Sequence, residues 1–194
     1  MDDEILDKTL VHIDSSFVDF QGQDKWIFNI NLLEPLRDVV YIMILKTEIT
    51  LIKNKKAQEP NEVFRINDVE FGTNTHGIEI YPIHVHINDF KRHSCVVSKN
   101  ENEKHIAKYF EHIPVNINSA LASTQNIATF GNQTFATFHR NNQNVHVLNP
   151  IEPNLQRLNF ELRDKYDDPI DKSNISHFNM TLCIYQNSRR ISRG

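Results

Sequence analysis

Residues 148–184 read LNPIEPNLQRLNFELRDKYDDPIDKSNISHFNMTLCI, and this stretch decides the predicted fold. Apolar and polar residues alternate over 158–163 and again over 178–184, which is the period of two of half-buried strands. Four residues that favour turns stand between these runs: Asp164, Asp167, Asp168 and Pro169. The stretch therefore predicts two antiparallel strands and a turn, a hairpin that closes a β-sandwich.

Strand patterns also occur through the rest of the chain. Pro35 follows the run at 25–32 and ends it. In the run at 77–87 the apolar residues switch from one face to the other near Pro82, where we expect a bulge or an edge bend. The run at 39–52 is apolar on both faces at its start, as in a central strand. The predicted strands are 25–32, 39–52, 62–69, 77–87, a short strand around Val96, and two more around 135–138 and 145–148.

One helix and one long loop are predicted between the strands. Apolar residues fall at helical spacing in 100–113, at Ile106, Tyr109, Phe110 and Ile113. Asn100 can cap this helix. Residues 118–132 are rich in Ser, Ala, Thr and Asn, which predicts a loop.

These elements predict an all-β protein, a single jelly-roll antiparallel β-sandwich of about eight strands with one short helix. An immunoglobulin-like sandwich fits less well, because the Cys, Trp, Cys arrangement is missing. Residues 1–20 are expected to form an N-terminal arm or edge strand, 21–186 the jelly-roll domain, and 187–194 a basic C-terminal tail. The basic residues of the tail are Arg189, Arg190 and Arg193.

The composition excludes several classes of protein. The formal net charge is −4 and no basic stripe is present, so we expect no direct contact with nucleic acid. No apolar run is long enough for a transmembrane segment, and the acidic start MDDEILDK does not resemble a secretory signal. The two cysteines, Cys95 and Cys183, are predicted to be free structural thiols in a reducing compartment.

The sharpest chemical candidate is the pair His84 and His86, two imidazoles on one face of a predicted strand. Cupins bind metal through a Gly, a His-x-His pair and a later Glu. Here Gly77 lies one residue too far away, and Asp89 only partly replaces the glutamate. The alternative interpretation makes both histidines outward-facing polar residues of the strand. A cupin-like metalloenzyme using His84 and His86 is thus the alternative function.

Other catalytic signatures are missing from the sequence. No nucleophile elbow, phosphate loop or Cys/His signature occurs, and the four aspartates near the turn are better explained by local bonds to the backbone. We therefore predict no catalytic residues, no cofactor and no enzymatic activity. A sandwich that binds carbohydrate or a receptor is a further alternative, which exposed aromatic residues on one loop face would support.

The C-terminal stretch resembles a known family. The run Leu148-Asn149-Pro150, the alternating NFEL at 159–162, Arg163-Asp164 and the final strand with His177-Phe178 are similar to the C-terminal strand pair of single jelly-roll minor capsid and penton proteins. These belong to nucleocytoplasmic large DNA viruses and their virophage relatives. HIDSS at 12–16 and LRDVVYIMI at 36–44 are similar to the family's N-terminal motifs.

The resemblance implies a structural role in an icosahedral shell. The chain would be a penton at a vertex or another minor capsid protein, assembling with itself into a pentamer or other ring and with partners such as the major capsid protein. It would be located in the virion and assembled in the host cytoplasm. Relatives usually place a glycine in the turn where this chain has YDDP at 166–169, so we expect this turn to differ.

Overall fold

Antiparallel strands make up most of the described residues in the computed structural model. The structure describes residues 6–21, 24–54, 63–67, 69–70, 80–91, 93–98, 103–116, 125–130, 133–139 and 146–187. The strands are β1 Leu6–Asp14, β2 Asp19–Phe20, β3 Ile27–Asn54, β4 Val63–Ile66, β5 Val69–Glu70, β6 Ile80–Ile87, β7 His93–Ser98, β8 Lys104–Tyr109, β9 Glu111–Asn116, β10 Gln125–Phe130, β11 Gln133–His139, β12 His146–Arg163 and β13 Ile175–Asn187. Two short 3₁₀ turns are present in these ranges, at Ser15–Phe17 and Lys172–Asn174.

One large sheet forms the body of the molecule. Its central path runs β1, β13, β3, β12, β6 and β9, and five further strands pair beside this path. β7 and β8 form a separate two-stranded sheet. The large sheet curls on itself into a half-barrel with an apolar interior, and this confirms the predicted all-β class, consistent with a sandwich.

The long strand β3 continues past Pro35 as one strand, so the predicted end of the strand there is wrong. The β3–β12 ladder shifts register at two places that compensate each other. Residues 32–35 of β3 lie opposite Gln156 alone, and residues 148–151 of β12 lie opposite Val40 alone. Pro35 falls inside the first of these bulges, where its missing N–H does not interrupt a regular ladder.

β12 and β13 do not form the predicted hairpin. Both strands exist where the alternation placed them, but β3 lies between them in the sheet. β12 pairs with the first half of β3, through Phe160 and Phe28, whereas β13 pairs with the second half, through Phe178 and Ile49. After β12 the chain folds back only briefly, through an antiparallel bridge between Arg163 and Pro169 and the bond from the Ile170 N–H to the Leu162 carbonyl at 3.0 Å. It then continues to β13 on the other side of β3.

The segment 164–174 is a crossover between two walls of the curled sheet. Phe178, in β13 just after this segment, lies 6.2 Å from Phe28 and 6.4 Å from Trp26, measured between ring centroids. The start of β3 is tied to the crossover, because Trp26 N–H donates to the Ile170 carbonyl at 2.9 Å. The strand paired with the second half of β3 thus packs against the start of β3 in one core.

The predicted helix at 100–113 is wrong, because the described part of this segment forms β8 and the start of β9. Ala107 and Tyr109 are buried, while Lys104, Ile106 and Lys108 are exposed, a period of two. Two successive strands happened to place four apolar residues at helical spacing. Helix formers such as Glu, Lys and Ala gave the segment a helical propensity that strand pairing overrides.

Four smaller predictions have different outcomes. The β6–β9 ladder continues without a shift through the pair Pro82 and Pro114, so there is no bulge at Pro82. Part of the predicted loop 118–132 is strand β10. At the N-terminus, β1 pairs with β13 at an edge of the path, as an edge strand would. In the basic tail, 188–194 lie outside the described residues.

Candidate functional site

Strand β6 carries the two candidate histidines and lies between β12 and β9. Ile83, Val85 and Ile87 alternate with the histidines and are fully buried in the main core. His84 and His86 therefore share the opposite face of the strand. The sequence prediction that both histidines lie on one face is correct.

His84 is buried rather than exposed to solvent. Only 3% of its surface is accessible, and its ring stacks on Tyr109 with 4.3 Å between centroids and 9° between planes. Its Nδ1 atom is buried with no hydrogen-bond partner among the described residues. Burial lowers the pKa of His84 to about 4, so the imidazole is neutral at pH 7.

His86 points to a different partner. Its Nε2 atom lies 3.2 Å from Oδ1 of Asp167 in the crossover. Burial is the largest cause lowering the pKa of His86, and the positive charge of Arg163 lowers it further. The same Asp167 carboxylate accepts from Arg163 at 3.3 Å through its other oxygen. His86, Asp167 and Arg163 thus connect β6, the crossover and β12.

The two histidines do not form a metal site with a third ligand. No group of three His, Cys, Asp or Glu side chains suited to a metal ion occurs in the described ranges. His84 contacts an aromatic ring and His86 contacts a carboxylate on another element. The pair thus lacks the convergent ligands of a cupin centre.

A polar layer lies between β6 and the small β7–β8 sheet, and sequence reasoning missed it. Tyr109 of β8 stacks against His84 on β6 and against His93 on β7. Glu111 is 2% exposed, and its carboxylate lies 3.6 Å from His93 Nε2 and 3.8 Å from His112 Nδ1. No sequence pattern indicates this layer, because Tyr109 and His112 are predicted to lie on one helix and not on the strands β8 and β9.

The crossover is organised by bonds from Asp164 and Asn67. One oxygen of Asp164 accepts from the N–H groups of Tyr166 at 2.8 Å and Asp168 at 2.9 Å. Its other oxygen accepts from the Asn67 side chain at 2.7 Å. For Asp164 these contacts match the predicted local bonding to the backbone. The side chain of Asp171 instead contacts Lys25, and that of Asp167 contacts other elements.

Asp167 lies in the YDDP turn at 166–169 and has an uncommon backbone conformation. Its φ is 66°, in the left-handed region that Asp tolerates better than most residues. Its side chain makes the contacts with His86 and Arg163, which a glycine could not make. The turn thus carries a left-handed aspartate whose side chain contacts β6 and β12. That this turn differs from those of related proteins stays a prediction.

A second cluster fixes the end of β1 to β13. His177 Nδ1 lies 3.2 Å from Ser15 Oγ, and Ser15 Oγ accepts from the Phe178 N–H at 3.0 Å. Asp14 accepts from the Ser16 N–H at 2.8 Å, a bond that lowers the pKa of the Asp14 carboxyl. His177 Nε2 is 3.7 Å from Asp14, too far for a hydrogen bond. The cluster is built to hold the N-terminal strand.

Several large apolar side chains are exposed on the described surface. Leu33, in the first β3 bulge, has an exposed fraction of 104%, and Phe17 has 87%. Val96 and Ile106 face each other across β7 and β8 with 71% and 65% exposed. The others are Leu10, Val147 and Ile151.

Comparisons with known proteins give the chain no family. No helix in the described ranges is long and apolar enough to cross a membrane. Neither the models of known protein families nor the curated proteins contain a match to this chain.

Proposed function

We propose that the chain is a structural capsid protein of an icosahedral large DNA virus, a penton or another minor capsid protein. The proposal begins with the resemblance of residues 148–184 to single jelly-roll capsid proteins. Its ring partner would be the chain itself, and its other partners would be capsid proteins such as the major capsid protein. Its location would be the virion, after assembly in the host cytoplasm.

The observation that carries the proposal is the set of large apolar side chains exposed on separate elements. Phe17 follows β1, Leu33 lies in β3, and Val96 with Ile106 lies on the small sheet. Val96 and Ile106 are adjacent across the β7–β8 ladder, and adjacent exposed apolar side chains favour burial against a partner surface. A shell component needs several such surfaces, because each subunit of a ring contacts two neighbours through different patches.

The geometry of β6 favours this role over the cupin-like alternative. His84 stacks under the small sheet and His86 pairs with Asp167, so each histidine supports the packing of a neighbouring element. Metal analysis of the purified protein tests this alternative directly. Stoichiometric bound metal that is lost in a His84→Ala, His86→Ala variant would favour the enzyme.

Size-exclusion chromatography with light scattering tests the structural role. We expect a discrete ring oligomer whose population rises with protein concentration. Particle reconstruction would then place the chain at a fivefold axis or at another minor position. A chain that remains monomeric at high concentration and is absent from purified particles contradicts the proposal.

A further inference from the structure

The outer face of the small β7–β8 sheet has an apolar centre with basic ends. Val96 and Ile106 are directly opposite each other in the ladder, and both are exposed. Lys104 and Lys108 lie two residues to either side of Ile106 on β8 and are exposed as well. The alternate residues Val97, Ala107 and Tyr109 are buried against the body of the protein. We call this surface, formed by Val96, Lys104, Ile106 and Lys108, the basic face.

The bulge of β3 presents the opposite chemistry. The register shift extrudes residues 32–35 from the ladder with β12, and Leu33 is fully exposed at 104%. Glu34 follows it and is exposed too. The bulge therefore offers one apolar side chain beside one carboxylate, which we call the acidic knob.

We propose that the acidic knob of one copy docks on the basic face of a second copy of this chain. Leu33 would pack on Val96 and Ile106, and Glu34 would pair with Lys104 or Lys108. Apolar contact at the centre with an ion pair at the rim is the usual arrangement of protein interfaces. This inference rests on the proposed function, since it names the surfaces through which that self-assembly occurs.

The two surfaces lie on different elements, so a contact that joins two copies once, knob to face, is heterologous. Each copy has one knob and one face, and repeated contacts of this kind close into a ring when the rotation between copies allows it. A twofold dimer would make the same contact twice, with each knob on the partner's face, and the mass from light scattering distinguishes that dimer from a ring.

Leucine removal tests the apolar half of the contact. Burying one leucine contributes about 2 kcal/mol, so Leu33→Ser is expected to weaken self-association at least tenfold. Leu10→Ser is the matched control, because Leu10 is also exposed but lies on β1, and it should leave the dissociation constant within about twofold. Concentration series in light scattering measure both.

Charge reversal tests the pairing itself. Glu34→Lys alone and the Lys104→Glu, Lys108→Glu variant alone should each reduce the oligomer. Combining all three changes restores opposite charges across the contact and should recover it. Lys8→Glu and Asp7→Lys, at exposed positions of β1, control for a general effect of net charge.

The outcomes separate this inference from the proposed function. If the wild-type chain forms rings that neither Leu33→Ser nor the charge reversals change, the structural role stands and the docking surfaces are wrong. If the wild-type chain does not self-associate at any concentration, the docking surfaces are wrong, and the structural role fails too only when the chain is also absent from purified particles. If the basic-face variants lose binding to vesicles of anionic lipid instead, with self-association unchanged, the face meets a membrane and the inference is overturned.

Discussion

At the scale of single residues, Asp167 combines a backbone cost with a side-chain gain. Its left-handed φ of 66° costs about 1 kcal/mol for a residue with a Cβ atom. The contacts of its carboxylate with His86 and Arg163 offset that cost. We expect Asp167→Ala to destabilise the protein by about 2–3 kcal/mol, because the contacts are lost and the cost remains.

The glycine variant separates these two contributions. Asp167→Gly also loses both contacts but relieves the backbone, so it should be about 1 kcal/mol less destabilising than Asp167→Ala. Urea denaturation gives both free energies of unfolding, with Asp19→Ala at an exposed position as the control. Equal losses in the two variants would show that the left-handed conformation carries no cost here.

His84 makes the stability of the protein depend on pH. Its pKa is about 4 in the folded chain against an ordinary 6.5, because burial disfavours the charged imidazole. The nearby Asp167 carboxylate partly opposes this effect, while His86 and His112 add to it. Below pH 6.5 the unfolded chain binds the proton first, so stability falls by about 3 kcal/mol between pH 6.5 and pH 4.

Replacing His84 by phenylalanine tests this sign. His84→Phe keeps a ring against Tyr109 and removes the titrating group, so the decline of stability below pH 6.5 should become shallower. Stability at pH 7 should hold or rise, because an unpartnered buried Nδ1 is removed. Denaturation midpoints at several pH values measure the slope, with His105→Phe at an exposed position as the control. An unchanged slope would contradict the assignment.

The burial of His84 could not be predicted from its own strand. Alternation correctly placed it opposite Ile83 and Val85, and a strand on a sheet surface would leave that face in solvent. The small β7–β8 sheet covers this face, and it belongs to a segment whose second half was predicted as a helix. A wrong element downstream thus changed the predicted environment of a correctly placed residue.

At the scale of elements, Asn67 fastens the β4–β5 turn to the crossover. Its side chain donates to Asp164 at 2.7 Å and accepts from the Asp171 N–H at 3.0 Å, and its φ is 52°. Asn67→Ala removes both bonds and places a Cβ residue without an amide in the left-handed region. We expect a loss of about 3 kcal/mol and faster hydrogen exchange at the Asp171 amide.

Asn67→Gly is the companion variant, because it removes the same bonds without the backbone cost. It should lose about 2 kcal/mol and expose the Asp171 amide to exchange equally. Slow exchange at this amide in both variants would mean that the crossover is held by other contacts.

Strand positions were predictable from the sequence, but strand partners were not. Residues 158–162 and 178–184 alternate so regularly that both strands appear where expected. Periodicity fixes which face of a strand is buried, and it carries no information on which strand lies beside it. A turn rich in Asp and Pro fits a hairpin and a crossover equally well. The insertion of β3 between β12 and β13 depends on the curl of the whole sheet, which no local pattern encodes.

At the scale of the whole molecule, the curl brings the two halves of β3 to opposite walls of one core. Phe178 on β13 fills the space between them, close to Phe28 and Trp26 from the other end of β3. Phe28 also stacks on Phe160 at 5.2 Å, so the aromatic cluster joins three strands. If this cluster holds the walls together, truncating its central ring should weaken the fold everywhere and not only locally.

We therefore expect Phe178→Ala to destabilise the chain by about 3–5 kcal/mol in a single cooperative transition. Trp26 is the only tryptophan and is buried, so its fluorescence reports directly on the far wall. Phe17→Ala removes the same side chain from an exposed site and should change stability by less than about 0.5 kcal/mol. A loss below about 1 kcal/mol for Phe178→Ala, with an unchanged Trp26 spectrum, would mean that the two walls are stable independently and that the crossover merely tethers them.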